Sequence, residues 1–145
     1  MPVPPEVVFD YRLDFASNLS AYNKNVREVL QLEGLEPGRG SKYRVRVRLA
    51  PGLMVSSTLT VTEADRPKRI CDTAESVIGS ARETLIFEPT MVAQGGSGTS
   101  VSFLLETDPK NLLGRLVDRV LMALARRQVR LELESMRCHL EARAG

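Results

Sequence analysis

The stretch Lys42-Tyr43-Arg44-Val45-Arg46-Val47-Arg48-Leu49 alternates cation and apolar residue without a break. Successive side chains of an extended strand point to opposite faces. The pattern therefore predicts a strand that buries Tyr43, Val45, Val47 and Leu49 and turns four cations to water. Turn chemistry brackets it, Glu36-Pro37-Gly38-Arg39-Gly40 before and Ala50-Pro51-Gly52 after. Working outward, Val26–Leu35 reads as the preceding strand and the Thr-rich Val55–Thr62 as the following one. A turn at Ala64–Lys68 leads to Arg69–Ile78 and Ala81–Glu88, hinged at Gly79-Ser80. A glycine-rich loop, Gln94–Gly98, then opens a last strand, Thr99–Glu106. Six strands on short connections predict an antiparallel meander.

Helical periodicity flanks the meander. Pro4 to Asp14 begins with prolines suited to a first helical turn and continues with Val7, Val8 and Tyr11 at helical spacing. Phe15–Tyr22 reads as a second short helix, with Ser17 or Asn18 available as a cap. From the start signal Asp108-Pro109 to about Ala142, Gly114 is the sole interruption. This gives roughly 30 helical residues, or about 45 Å of rod. The fold class is α+β: a strongly curved antiparallel sheet with one long C-terminal helix packed across it.

The 145 residues suit a single domain, 1–145, with a core of its own. Hydrophobic content of 43% and charged content of 26% exclude a disordered tail or a collagen-like repeat. No run approaches the ~18 apolar residues of a membrane span. The N-terminus lacks a basic start followed by an apolar run, so no secretory signal is expected and the cytoplasm is the expected compartment. Cys71 and Cys138 have no paired metal-site spacing and His139 is the sole imidazole, which argues against a His/Cys metal centre or any cofactor. A net charge of +2 gives no reason to expect nucleic acid. The preference for Arg over Lys reads as the mark of a GC-rich genome.

Local motifs in their order then carry a resemblance. Pro4-Pro5-Glu6-Val7-Val8-Phe9-Asp10-Tyr11, with Asp14 after it, is similar to the first helix of the START, or SRPBCC, helix-grip superfamily. This superfamily holds lipid-transfer domains, birch-pollen-allergen-like proteins and bacterial polyketide cyclase/dehydrase proteins. Asn18-Leu19-Ser20-Ala21-Tyr22 with Val26-Arg27-Glu28-Val29 resembles its second helix and following strand. Pro37-Gly38-Arg39-Gly40-Ser41-Lys42-Tyr43 resembles its first hairpin, and Gly98-Thr99-Ser100-Val101 the opening of its last strand. The match spans nearly the whole chain. Members begin with a strand ahead of the first helix, for which only Met1-Pro2-Val3 is present here. The resemblance thus implies an open sheet edge, from a start downstream of the native one or an edge covered by another chain.

The resemblance also implies a cavity between sheet and long helix, and alternation selects its lining. In phase with Tyr43, Val45 and Val47 are Ser57 and Leu59, then Leu85, Phe87 and Phe103. The polar candidates are Glu28, Asp72, Ser76 and Glu83. An apolar lining with few polar points suits an acyl chain, a polyketide, an isoprenoid or a sterol-like molecule. No catalytic residue is assigned. His139 falls away from the core-facing stripe, and a desolvated Glu28 or Glu83 is the remaining general-base candidate.

On the helical wheel Leu113, Val117, Val120, Leu124, Leu131, Cys138 and Ala142 share one arc, expected to face the sheet, with Val120 and Leu124 flooring the cavity. Arg115, Arg119, Arg126, Arg130 and Arg137 form a cationic stripe opposite. It is either a solvated face or a transient contact with anionic lipid, the latter through Arg115, Arg119, Arg126 and Arg130. A second apolar line, Met122, Val129 and Met136 with Leu133 and Leu140, is expected to be buried by a second copy, making a homodimer, or by the N-terminal helices. The leading functional expectation is a carrier or sensor of a small hydrophobic molecule. The alternative is a polyketide cyclase or dehydrase that works by orienting its substrate.

Overall fold

Two short helices open the chain, α1 (Pro5–Leu13) and α2 (Phe15–Tyr22). Six strands follow: β1 (Val26–Glu33), β2 (Lys42–Ala50), β3 (Leu53–Asp65), β4 (Arg69–Ser76), β5 (Gly79–Met91) and β6 (Ser97–Pro109). A long helix, α3 (Leu112–Ala144), closes the order. The computed structural model describes residues 1–34, 37–93 and 95–144, apart from the side chains of 50, 121–126, 128 and 144. Leu35, Glu36 and Gln94, assigned above to a strand end, a turn and a loop, lie outside the described residues.

The strands pair in chain order, each antiparallel to the next, so the expected meander is present, with β1 and β6 at the edges. At the beginning of β6 the chain start lies alongside. The Met1 ammonium donates to the Thr99 carbonyl, and the Thr99 N–H donates to the Met1 carbonyl, both at 2.8 Å. The Thr99 hydroxyl donates to the Val3 carbonyl at 2.6 Å.

The starts of α2 and α3 differ from the expected ones. Asp14 caps α2, accepting from the Ser17 N–H at 3.3 Å, whereas Asn18 is buried and donates to the Tyr11 carbonyl at 3.0 Å. β6 runs through Asp108 and Pro109, and the side-chain oxygen of Asn111 takes the Gly114 N–H at 2.8 Å to start α3. Proline is tolerated there because β6 is an edge strand and needs no ladder donor on its outer side.

Packing divides the concave face of the sheet in two. α1, α2 and the end of α3 fill one half. Val8, Phe9, Phe15 and Leu19 come down from the helices onto Tyr43, Leu59, Val61, Ile70, Leu85 and Phe87. Phe9 meets Phe87 edge-on at 5.7 Å and Phe15 meets Tyr43 at 5.5 Å. In the other half Val47, Ser57, Ala74, Ala81, Phe103 and Leu105 are only half-buried.

α3 crosses the sheet with a rotation opposite to the one expected. Met136 and Leu140 are 1% and 3% exposed and belong to the core, with Leu133 packed against it. Val120 is 58% exposed, and Leu113, Leu131 and Cys138 are exposed as well. The line expected to be covered by a second copy or by the N-terminal helices is therefore the core line, about 165° around the helix from the arc chosen for the core. Met136 and Leu140 are buried and Val129 and Leu133 half-buried within one chain, so their cover does not require a second copy. The side chains of Met122, Leu124 and Arg126 lie outside the described set. Each buried large apolar side chain contributes roughly 1.5–3 kcal/mol, but the two apolar lines are alike in this. Polar contacts choose between them. The Thr107 hydroxyl donates to Asp118, the Ser135 hydroxyl to the Ala21 carbonyl at 3.3 Å, and the Asn23 amide to Glu132 at 2.9 Å.

The start of α3 rests directly on the β4–β5 turn. A Cβ added at Gly114 would sit 2.0 Å from the Ile78 carbonyl oxygen. In a free helix Gly to Ala gains about 1 kcal/mol; here the obstacle is backbone and cannot rotate away. Gly114→Ala is expected to lower the melting temperature by at least ~4 °C. An unchanged or raised melting temperature in a thermal scan would show that this contact does not set the helix.

Candidate functional site

Helix α1 carries a cation on its buried face. Arg12 follows Val8 by one turn, so the geometry that buries Val8 drives the guanidinium into the interior, where it is 2% exposed. It lies over the rings of Phe15 and Tyr22, 4.8 and 5.1 Å from their centroids. Nη1 donates to the Tyr22 hydroxyl at 2.5 Å and Nη2 to Glu83 Oε2 at 2.8 Å. Such a contact combines charge-assisted hydrogen bonding with cation–π attraction in a region poor in water.

The carboxylates come from the sheet. Asp72 on β4 and Glu83 on β5 are direct antiparallel partners, so both point to the concave face side by side. Glu83 keeps 29% of its side chain exposed, while Asp72 is 1% exposed and its Oδ2 has no hydrogen-bond partner among the described residues. Glu132 of α3 adds its charge to the field felt by Arg12, Tyr22 and Asp72.

Burial penalises the Arg12 cation, but Tyr22, Glu83, Asp72 and Glu132 outweigh that and raise its pKa further. Arg12 is permanently charged. Burial pushes the Tyr22 phenol well above its ordinary range despite Arg12, so it stays neutral. Burial first, then the neighbouring Glu83, push the Asp72 carboxyl well above 3.8; the opposing pull of Arg12 is smaller. The cluster thus pairs one fixed ion pair with a carboxylic acid that resists ionisation.

Around it stands the half-buried part of the concave face. Two residue pairs along the ladder from Asp72 and Glu83, and so on the same face, are Ala74 and Ala81, and Leu105 is the partner of Glu83 on β6. Small side chains at 74, 81 and 57 leave the floor low, and Phe103 and Leu105 form its apolar wall. A separate groove of about 440 Å³ lies between the start of β6 and α3, lined by Thr99, Val101, Leu133 and Arg130 among others. Its Arg130, Glu134 and Arg137 are all exposed and already solvated, so it lacks the buried, incompletely partnered polar group of the cluster.

The expected site residues divide accordingly. Asp72 and Glu83 meet in the cluster, and Val47, Ser57 and Phe103 border the accessible half. Tyr43, Val45, Leu59, Leu85 and Phe87 are buried under the protein's own helices and line the packed half instead. Glu28 is exposed on the outer face beside Arg46 at 3.4 Å, because a bulge between Val26 and Glu28 reverses the alternation. The Ser76 hydroxyl is engaged in the β4–β5 turn, donating to the Gly79 carbonyl at 3.2 Å and accepting from Ile78. Val120 faces outward, a correction that follows from the rotation of α3.

Arg12, Tyr22 and Glu132 were not selected from the sequence. For Arg12 the signal was present, an arginine one turn beyond Val8 on an apolar stripe. Among the described residues no group of three or more His, Cys, Asp or Glu side chains is placed to hold a metal ion. His139 is exposed, its Nδ1 2.7 Å from the Ser135 carbonyl oxygen, and both cysteines are free.

Comparison with known proteins agrees with this architecture. Residues 1–141 match the family described as polyketide cyclase / dehydrase and lipid transport. The chain belongs to this family. No curated protein matches it in sequence. Among solved structures it resembles Ara h 8.0201, at 16% identity over 97% of this chain and 92% of that one, with a TM-score of 0.66. Protein CV1439 from Chromobacterium violaceum is similar at 18% identity, with the same coverages and TM-score. SA2116 from Staphylococcus aureus, a protein of unknown function, aligns at 13% identity over 99% of this chain and 90% of its own, with a TM-score of 0.67. At these identities the likeness shows the fold, the helix-grip arrangement of birch-pollen-allergen-like proteins.

The elevated Asp72 pKa has a consequence for stability. Above pH ~4 the unfolded chain releases the Asp72 proton while the folded chain retains it, so this residue's contribution falls as pH rises toward the folded pKa. Asp72→Asn removes the penalty. Its melting temperature is expected to equal that of the parent near pH 4 and to exceed it by several degrees at pH 7–8, from relief of roughly 1–3 kcal/mol. Parallel melting-temperature curves across that range would mean that Asp72 ionises freely.

Proposed function

We propose that this chain, acting as a single domain in the cytoplasm, binds and carries or senses a small hydrophobic molecule. The ligand would lie on the accessible half of the concave face. The observation that carries this reading is the unequal covering of one sheet face. Tyr43, Leu85 and Phe87 are sealed, whereas Phe103, Leu105 and Val47 on the same face keep contact with solvent. Apolar side chains of that size are ordinarily buried in a domain of this length, and a concave apolar surface with a few convergent polar groups is the usual form of a ligand site. Membership of a family that includes lipid transport supports the same reading. Among the described residues no helix is long and apolar enough to cross a membrane.

A cyclase or dehydrase acting by orientation is the second reading. Its support is the placement of the Arg12–Glu83 pair and the Asp72 acid at the end of the apolar surface. A poly-β-ketone would meet a fixed cation, a carboxylate and a proton donor there.

Loading from a membrane is part of the carrier proposal. Arg115, Arg119 and Arg130 are exposed on α3, and Leu116 and Val120 between them are 52% and 58% exposed. A helix face mixing cations with exposed apolar side chains suits an anionic lipid surface. Sedimentation with vesicles should show binding to phosphatidylglycerol and not to phosphatidylcholine, weakened at least about fivefold by neutralising Arg115 and Arg119 together. Equal partition to both vesicles would remove the electrostatic contact.

Native mass spectrometry of protein purified from its own host should show a retained small molecule. Ala81→Trp, which fills the accessible floor, should lose that molecule and weaken binding of a neutral solvatochromic dye by at least about tenfold, with the fold intact by circular dichroism. Undiminished dye binding in that variant would place the ligand elsewhere.

A further inference from the structure

The polar end of the site has a chemical preference. Arg12 is already engaged with Glu83 at 2.8 Å and with the Tyr22 hydroxyl, and its guanidinium is stacked on two rings. Asp72 stands beside Glu83 with one carboxyl oxygen buried and, among the described residues, without a donor. Among the described residues, the charges acting on it are Glu83 and Glu132, which repel its ionised form, and Arg12, which attracts it. A buried carboxyl oxygen without a donor is destabilising, because it has lost its water and gained nothing in return. The side from which a donor can come is the accessible half of the face. Glu83 is partly exposed there, and Ala74 and Ala81, about 7 Å along the strands from Asp72 and Glu83, leave space.

We propose that the Asp72–Glu83 pair receives the protonated amine of an amphipathic ligand whose apolar body lies along Phe103, Leu105 and Val47. An ammonium group brings three donors and one positive charge to a place that has acceptors and excess negative potential. It supplies Asp72 with its missing counter-charge. A carboxylate-headed lipid would meet Glu83 at the entrance and find Arg12 occupied. A hydroxyl would satisfy the acceptor but leave the charge unbalanced. Binding of the amine shifts Asp72 toward its ionised form, so a proton leaves the protein as the ligand enters. The groups facing Asp72 from every packed element are Arg12 of α1, Tyr22 of α2, Glu83 of β5 and Glu132 of α3. Of these Arg12 and Tyr22 do not titrate near neutrality, and Asp72 is the carboxyl whose proton burial holds most firmly before the ligand enters.

This inference rests on the hydrophobic-ligand reading, and the test separates the two. n-Decylamine, n-decanol and n-decanoate, each below its micelle concentration, are titrated against the intact chain carrying a neutral solvatochromic dye at pH 7. Displacement by the amine is expected at concentrations at least about tenfold lower than by the alcohol, and lower again than by the decanoate. Calorimetry in two buffers of different ionisation enthalpy should show proton release with the amine and none with the alcohol. In Asp72→Asn the amine's advantage over decanol should fall to less than about threefold. Glu83→Gln provides a second reading of the same loss if the first variant is altered in stability. Equal displacement by amine and alcohol, or an advantage that survives both substitutions, overturns the amine preference and leaves the hydrophobic site standing. Failure of the dye and all three probes to bind overturns both.

Discussion

A guanidinium taken out of water must be met by partners on every side, and the burial of Arg12 imposes that demand on the interior. The cation, on α1, is enclosed by two aromatic rings, one of them with its phenol hydroxyl, and a carboxylate, drawn from α2 and β5. Removing a single partner from such an arrangement costs about 3–5 kcal/mol, because the charge left behind has nowhere to go. The helical pair is thereby tied to the sheet at one point, and the same point marks where the packed half of the concave face gives way to the accessible half.

On the packed side the energetics are those of any apolar core, with aromatic rings of α1 and α2 meeting those of β2 and β5. On the other side, small residues at 57, 74 and 81 forgo that packing. Apolar surface kept from full burial is stability forgone, and proteins that retain it do so where something else is to be covered. The neighbouring acid Asp72 follows the same logic, an interior polar oxygen without a partner among the described residues. On the proposed reading, the half-buried apolar side chains and the polar end together serve as a recognition surface.

Periodicity could not reveal which groups would meet. Asp72 and Glu83 were legible as inward candidates because alternation holds along β4 and β5, where the pairing runs without a register shift. Glu28 failed for the converse reason, since the irregularity in β1 inverts the alternation between Val26 and Glu28. Arg12 was passed over because a cation is ordinarily assigned to the wet face of a helix. Its role becomes visible only once Glu83, distant in sequence, is seen to reach it. α3 offered two apolar lines of similar length, and the contacts of Thr107, Ala21 and Asn23 with its polar side chains decided between them.

The order of elements, the antiparallel meander, the long terminal helix and the family were contained in the chain as local patterns. Each depends on spacing between near neighbours: period two for strands, period 3.6 for helices, Gly and Pro at turns. The rotation of α3, the division of the concave face and the assembly of the Arg12, Glu83 and Asp72 cluster belong to the tertiary structure. These depend on which distant residues come within a few ångströms, and Coulomb and hydrogen-bond energies are set by that distance rather than by position along the chain.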